Sequence, residues 1–243
     1  MKTSLNSFII GISLILISLI VAGAYKYKFK GEETITVTGL AEKNFTSNMI
    51  VWEGDYSRKM PDLKSAYDLL KKDESTVSAY LKQKGINNNE MLFSSVEITK
   101  EFAKIYDSRG TVSGTKFDGY TLKQSVTVKS TDINKVEKLS REVTELIENG
   151  IEMNSLPPSY YYTNLSALKI DLLAKASADA KLRAETIAKN SGSDLGKIKK
   201  ASMGVFQITG ENGNESYAGG GTFNTSSRNK TASITIRIDF AVD

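Results

Sequence analysis

An uncharged stretch near the N-terminus constrains this chain more than any other feature. Residues 3–25 contain no charged side chain, and residues 8–24 are dense in isoleucine and leucine. At about 1.5 Å of rise per residue, a helix over this stretch is longer than the ~30 Å of a hydrocarbon core. Because no helical period gives the stretch a polar face, a buried helix of a soluble domain is a poor alternative. We therefore predict one N-terminal transmembrane helix.

The sequence after the stretch leaves two alternatives open. Residues 22–24 read Ala-Gly-Ala, which has the small-x-small pattern of a signal-peptide cleavage site. A basic flank follows directly, which is unusual beyond a cleavage site and favours an uncleaved membrane anchor: Lys26, Lys28 and Lys30. Only Lys2 and the α-amino group lie on the other side, so the positive-inside rule alone tilts toward a cytoplasmic C-terminus.

The net charge of +4 belongs to this anchor region. Residues 1–30 hold four lysines and no acidic residue, whereas residues 31–243 balance 28 basic against 28 acidic side chains. A neutral domain lacks the basic footprint of a nucleic-acid binder. We predict a membrane anchor over 1–30, a folded domain over 31–243 and no nucleic-acid partner.

The chain contains neither cysteine nor histidine. Thiol nucleophiles, cysteine-based zinc or iron–sulfur sites, disulfides and histidine general bases are thereby excluded. Sites for Ca²⁺ or Mg²⁺ built from carboxylates alone are not excluded, because they need neither residue. We predict no catalytic, cofactor or metal residue, and a protein that is not an enzyme.

Alternation and helical periodicity predict the elements of the folded domain. Strands are expected over 34–39, 49–58, 91–102, 120–129, 199–209 and 233–242, with an extended segment over 151–163. Helices are expected over 62–84, 132–149 and 165–191, each stopped by a glycine: Gly85, Gly150 and Gly192. The stripes expected to face a sheet are Leu63, Tyr67, Leu70, Val77 and Leu81; Val136, Leu139, Val143, Leu146 and Ile147; and Leu173, Ser177, Ala180, Ala184 and Ile187.

This order predicts an α+β fold, with a mixed, largely antiparallel sheet or sheets and three main helices packed on it. Residues 103–117 are expected to be a polar connection. Residues 210–230 are rich in glycine, asparagine and serine and are expected to be a mobile loop.

Several short motifs occur in a fixed order along the domain. Residues 35–39 read I-T-V-T-G and residues 81–86 read L-K-Q-K-G-I, while Gly119 precedes Tyr120. An alanine-rich helix carries A-S-A-D-A over residues 176–180 and A-E-T-I-A from Ala184, followed by G-S-D-L-G from Gly192. In order and spacing these motifs resemble the SIMPL (DUF541) family. One departure is the turn at residues 44–48, where the family often carries a Pro-Asp pair.

The resemblance implies an exported or envelope-anchored bacterial protein. It implies an inner-membrane, single-pass protein with its domain in the periplasm, and an α/β domain that assembles into oligomers. Some family members are connected with stress tolerance. The family offers no general set of catalytic residues to transfer to this chain.

Candidate sites are few. The run Tyr160, Tyr161 and Tyr162 is a candidate oligomer interface or ligand surface, because tyrosine is enriched at interfaces. Asp179 and Glu185 are interpreted as solvated ion-pair residues, each with a basic residue four positions later. The glycines at 219–221 lack the lysine and helix of a phosphate-binding loop, and Trp52 is interpreted as a core residue.

Three functions are therefore considered. The first is a membrane-tethered, non-catalytic interaction or assembly module, homo-oligomeric or bound to another envelope protein. The second is a tethered protein that binds a small ligand in a groove near the tyrosine run. The third is a hydrolase that uses carboxylates alone, which would require two carboxyl groups that converge in one cleft.

Overall fold

The computed structural model describes residues 2–29, 33–216 and 219–242, with side chains for 11–25, 33–216 and 219–242. Four α-helices lie in this part of the chain: α1 (Lys2–Phe29), α2 (Leu63–Gln83), α3 (Ile133–Glu142) and α4 (Leu165–Asn190). The strands are β1 (Thr34–Thr46), β2 (Met49–Met60), β3 (Met91–Phe93), β4 (Glu97–Tyr106), β5 (Val112–Ser130), β6 (Asn154–Ser155), β7 (Ser159–Tyr161), β8 (Leu195–Met203), β9 (Gln207–Gly210) and β10 (Asn229–Val242).

The predicted α+β class with antiparallel sheets is confirmed. One sheet has the order β1-β10-β8, with β9 also paired to β10. The other has the order β3-β5-β2-β6, with β4 beside β5 and β7 beside β2. The chain forms two compact units, one of residues 1–41, 173–204 and 234–243, and one of residues 42–172 and 205–233.

The N-terminal helix α1 forms where a helix was predicted. Within the residues that the structure describes, no helix combines the length and the apolar content needed to cross a membrane. The side chains of Lys26 and Lys28 and the whole of Lys30, the predicted membrane flank, lie outside the described residues.

In the first unit, α4 packs its alanines closely against strand backbone. Ala176, Ala180 and Ala184 are fully buried, and a Cβ added at Gly39 would lie 2.1 Å from the Ala176 carbonyl oxygen and 2.6 Å from the Ala180 nitrogen. The predicted stripe was wrong at its ends, since Ile187 is 46 % exposed while Ala188 is buried. At this distance between helix and strand there is room for methyl groups only.

The second unit has a core of large side chains. Trp52, as predicted, is fully buried, and it packs with Tyr56, Leu122 and their neighbours beneath α2 and α3. Asp62 caps α2 by accepting the Ser65 N–H at 2.8 Å. The predicted stripes of the two helices were partly wrong. Three of their apolar members, Leu63, Tyr67 and Ile147, are exposed, and smaller or polar neighbours are buried instead.

The helix ends follow the glycines. The residue after each glycine donates its N–H to a carbonyl five positions earlier: Ile86 to Leu81, Ile151 to Leu146, and Ser193 to Ala188, at 3.0–3.1 Å. The helix predicted over 132–149 is divided, because α3 ends at Glu142 and a 3-10 turn occupies Val143–Asn149. The strand predicted over 199–209 is likewise divided into β8 and β9.

The polar connection predicted over 103–117 was wrong. These residues belong to a β-hairpin, in which β4 pairs with the first half of β5. We call residues 97–117 the hairpin arm. Its residues are exposed or only partly buried on both faces, so neither face repeats an apolar pattern that would predict a strand.

Candidate functional site

The three tyrosines predicted as an interface lie at and just after β7, which pairs with β2. All three are half-buried. The hydroxyl of Tyr160 donates to the Glu137 carboxylate at 2.9 Å, and the Tyr162 ring lies 4.9 Å from the ring of Phe45. Burial, and then Glu137, raises the pKa of Tyr160. The run is therefore held in place and partly accessible.

The turn between β1 and β2 is fixed to this tyrosine segment. Asn48 donates its backbone N–H to the Tyr161 carbonyl at 3.0 Å. Its side-chain amide donates to the Thr163 hydroxyl at 2.8 Å, and its side-chain oxygen accepts the Thr163 N–H at 2.9 Å. These three bonds define the position of the neighbouring residue, Ser47.

Ser47 opens onto a cleft of about 610 Å³, which we call the Ser47 cleft. Its lining comes from three distant parts of the sequence: Ser47 and Asn48, then Thr131, Asp132, Ile133 and Asn134, then Arg228. Ser47 is only 3 % exposed. Its hydroxyl has no hydrogen-bond partner within the described residues, which is rare for a buried polar group.

A chain of polar contacts joins this cleft to the tyrosine run. Arg228 donates to the side-chain oxygen of Asn134 at 2.7 Å and lies 3.4 Å from the Glu137 carboxylate. Glu137 in turn accepts the bond from Tyr160. One terminal nitrogen of the guanidinium thus contacts both an amide oxygen and a carboxylate at the cleft.

The start of α3 forms the third wall of the cleft. The Asp132 carboxylate accepts the Lys135 N–H at 3.1 Å, and the Thr131 carbonyl accepts the Ile133 N–H at 3.1 Å. Among the described residues, the N–H of Asn134 has no such acceptor. A helix start carries partial positive charge on its free N–H groups, so the Asn134 N–H is a donor at this wall, next to the Asp132 carboxylate.

The hairpin arm is a second candidate surface. It exposes apolar side chains over its whole length: Ile98, Phe102, Ile105, Tyr106, Val112 and Phe117. Phe102 lies opposite Phe117 in the register, and the rings of Phe102, Phe117 and Tyr120 form a row with centroid spacings of 5.9 and 5.1 Å. Within the described chain, β4 pairs with β5 alone, so its other edge is open.

Gly119 joins the arm to the sheet of the second unit. Its φ of +106° is rare for residues with a side chain, and a Cβ there would lie 2.5 Å from the Met60 carbonyl oxygen. The pairing is irregular at the same point, since Glu101 faces Gly119 while Phe102 faces Phe117. Lys59 and Asp118 form an ion pair beside this bulge.

A polar cleft of about 760 Å³ in the second unit includes Glu53, Asp55 and Glu97 in its lining. The Asp55 carboxylate already forms an ion pair with Lys123 at 3.2 Å and accepts a hydrogen bond from Asn154 at 3.0 Å. The ion pair with Lys123 explains the position of the Asp55 carboxylate. Carboxylates that only line the same cleft do not indicate a hydrolase. No group of three potential metal ligands occurs among the described residues.

The ion pairs expected along α4 are only partly formed. Asp179 pairs with Arg183 at 2.8 Å as predicted, and it also accepts the Leu40 N–H at 2.9 Å. Glu185 pairs with Lys181 at 3.5 Å. Asp179 is therefore a structural contact between helix and strand, because its carboxylate satisfies a backbone donor of β1.

The predicted mobile loop over 210–230 is shorter than expected, because Gly210 belongs to β9, and Asn229 and Lys230 belong to β10. The Lys230 ammonium is buried and donates to the carbonyl and side-chain oxygens of Asn224 at 2.5 and 3.0 Å. Burial lowers the pKa of Lys230 to about 8. Residues 217–218 lie outside the described part, and the mobility of the loop stays a prediction.

Sequence patterns did not reveal the Ser47 cleft. Its parts are separated by more than 80 positions in the chain, and neither Ser47 nor Arg228 belongs to a motif. One local signal was present: Ser130-Thr131-Asp132 before an apolar helix is typical of an N-cap. That signal locates a helix start without showing what faces it.

Comparison with known families finds one match. The family model SIMPL, described as a protein of unknown function (DUF541), matches residues 35–240. No curated protein matches the chain. Several of the motif residues are now explained by packing: Gly39, Gly85, Gly119, Ala176, Asp179 and Ala180.

Proposed function

Since the chain belongs to the SIMPL (DUF541) family, whose function is unknown, we propose that it is a membrane-tethered module that assembles with copies of itself through the hairpin arm. In this proposal the domain lies outside the cytoplasm, in the periplasm, and catalyses no reaction. A further envelope protein can add to the assembly. The observation that carries the proposal is the exposed apolar surface of the arm.

The arm has two properties of an association surface. Its aromatic and aliphatic side chains are about half covered, such as Phe102 at 56 % exposed and Tyr106 at 60 % exposed, so each would gain roughly half of the 1.5–3 kcal/mol of a fully buried side chain. The open edge of β4 offers backbone N–H and C=O groups for the addition of another strand. Exposed apolar patches of this kind mark interaction sites.

Native mass of the full-length chain in mild detergent tests this assembly. We expect one defined oligomer for the wild type and a smaller species when Phe102→Ser and Phe117→Ser are combined. Ile147→Ser is the matched control, because Ile147 is 61 % exposed in the same unit but lies outside the arm. A monomeric wild type, or an unchanged mass in the double variant, would contradict the proposal.

The tether is proposed from α1. Its apolar side chains at residues 12–21 are exposed, and residues 3–25 carry no charge, so the helix needs an apolar environment. The wild type should stay in the membrane fraction after an alkaline wash, and Leu16→Lys with Ile17→Lys should release it. Protease added to intact spheroplasts should remove the domain; protection until lysis would place it in the cytoplasm.

A second candidate function is the binding of a small ligand in the Ser47 cleft. The buried hydroxyl of Ser47 without a partner favours it, as does the position of the cleft beside the tyrosine run. This function uses a different surface from the arm, so both can belong to one protein.

A further inference from the structure

We propose that the Ser47 cleft binds a small oxyanion, a carboxylate or a phosphate group, through the Ser47 hydroxyl, the Asn134 N–H and the Arg228 guanidinium. The inference rests on the second candidate function and specifies its ligand. It is independent of assembly through the hairpin arm.

The Ser47 hydroxyl is the first element of the site. The Ser47 backbone is fixed, because its N–H donates to the Arg228 carbonyl at 2.9 Å. Its hydroxyl is buried without a partner among the described residues, in the wall of an open cleft. The proposal requires rotation of the Ser47 side chain about its Cα–Cβ bond, which would bring the hydroxyl to the cleft, where it would donate a hydrogen bond to an oxyanion.

The start of α3 is the second element. This helix has ten residues, long enough for its aligned peptide dipoles to favour negative charge at its first turn. Asp132 and Thr131 already accept the N–H groups of Lys135 and Ile133. The Asn134 N–H remains as a donor directed by the helix.

The Arg228 guanidinium is the third element. One of its terminal nitrogens contacts Asn134 and Glu137, which leaves its other N–H groups without an acceptor within the described chain. A guanidinium presents five N–H donors in a planar fork that matches carboxylate and phosphate oxygens. Its side chain is 38 % exposed, so a ligand can reach it.

Two carboxylates face the same region, and both are already compensated. Asp132 accepts the Lys135 N–H, and its second oxygen lies 3.4 Å from the Lys135 ammonium. Glu137 accepts bonds from Tyr160 and Arg228. The unpartnered N–H groups of Asn134 and Arg228 can only donate, and the Ser47 hydroxyl can donate as well as accept, which favours an anion over a cation.

Calorimetric titration of the full-length chain in mild detergent, with inorganic phosphate and with acetate at matched ionic strength, tests the inference. We expect binding that Arg228→Gln weakens at least 10-fold and Ser47→Ala several-fold. Selective ¹⁵N-asparagine labelling should show the Asn134 amide signal shifting with ligand. If only phosphate shows saturable binding, the group that the cleft binds is a phosphate. If only acetate does, that group is a carboxylate.

Ser47→Ala also separates binding from folding. The variant removes a buried hydroxyl without a partner, so it should unfold at the same denaturant concentration as the wild type or a higher one. Ser75→Ala is the control, since the Ser75 hydroxyl donates to the Lys71 carbonyl on α2, outside the cleft.

Three results would overturn the oxyanion: no binding of either anion, equal binding by Arg228→Gln, or binding of Ca²⁺ at this cleft. If the Asn134 signal shifts with a neutral diol but with neither anion, the ligand cleft stands and its oxyanion class fails.

Discussion

The contact around Gly39 and the hairpin arm are built in opposite ways. At Gly39, backbone and methyl groups pack so closely that an added Cβ would lie 2.1 Å from a carbonyl oxygen. In the arm, phenylalanine and tyrosine rings stand exposed, and Gly114 has no neighbouring atom within 4 Å of an added Cβ. The motifs that identify the family concentrate in the first region, whereas the arm carries none of them. The motif residues reflect close packing, whereas the proposed association surface was visible only in the structure.

The largest expected effect comes from Gly39→Val. The added side chain would displace α4 from β1, so we expect a loss of unfolding free energy of about 3 kcal/mol or more. Gly114→Val, in the open arm, should change stability by less than about 0.5 kcal/mol. Urea unfolding of both variants measures the difference. Similar losses in the two variants would remove the contrast between the regions.

Gly119→Ala should have the next largest effect, about 2 kcal/mol, because both a positive φ and a close carbonyl oppose a side chain there. Gly110→Ala measures the cost of the positive φ alone. Its φ is +76°, and no atom lies within 4 Å of the added Cβ, so about 1 kcal/mol is expected. Equal losses in urea unfolding would mean that the Met60 carbonyl moves freely.

Asp179 gives a smaller, pH-dependent effect. The Leu40 N–H, and then Arg183, lowers the pKa of this carboxyl. A pKa lowered by folding adds stability above the unfolded pKa of about 4, and this stability is lost as the pH falls through the folded value. Melting temperatures between pH 6 and pH 2.5 should therefore fall more steeply for the wild type than for Asp179→Asn. Parallel profiles would exclude the contact as a source of acid sensitivity.

Phe102→Ala in the arm should have a small effect on folding, about 1 kcal/mol or less, the value of one exposed aromatic pair. Leu122→Ala, in the buried half of the neighbouring strand β5, should cost about 2–5 kcal/mol. Comparison of their denaturation midpoints tests whether the β4–β5 hairpin is surface at one end and core at the other. A large loss for Phe102→Ala would mean that the arm supports the core.

The parts predicted from the sequence are those with a repeating pattern or a local stop signal. In β10, alternating Ile234, Ile236 and Ile238 are buried as expected, and the helices end at the glycines. The predicted apolar stripe of α4 was wrong at Leu173 and Ile187, because helical periodicity does not show how closely a strand approaches the helix. Residues 97–102 of the arm were predicted as strand, but residues 103–117 were missed because strands exposed on both faces lack a repeating apolar pattern. The Ser47 cleft required three chain segments to meet, which no local pattern encodes.

Gly119 has a consequence for how relatives of this protein can diverge. Beyond it, residues 102–117 pair only within the hairpin among the described residues. We therefore predict that insertions, deletions and new side chains in residues 102–117 leave the interior of the second unit unchanged. On that prediction, members of the family can differ in this segment while they keep the close packing at Gly39.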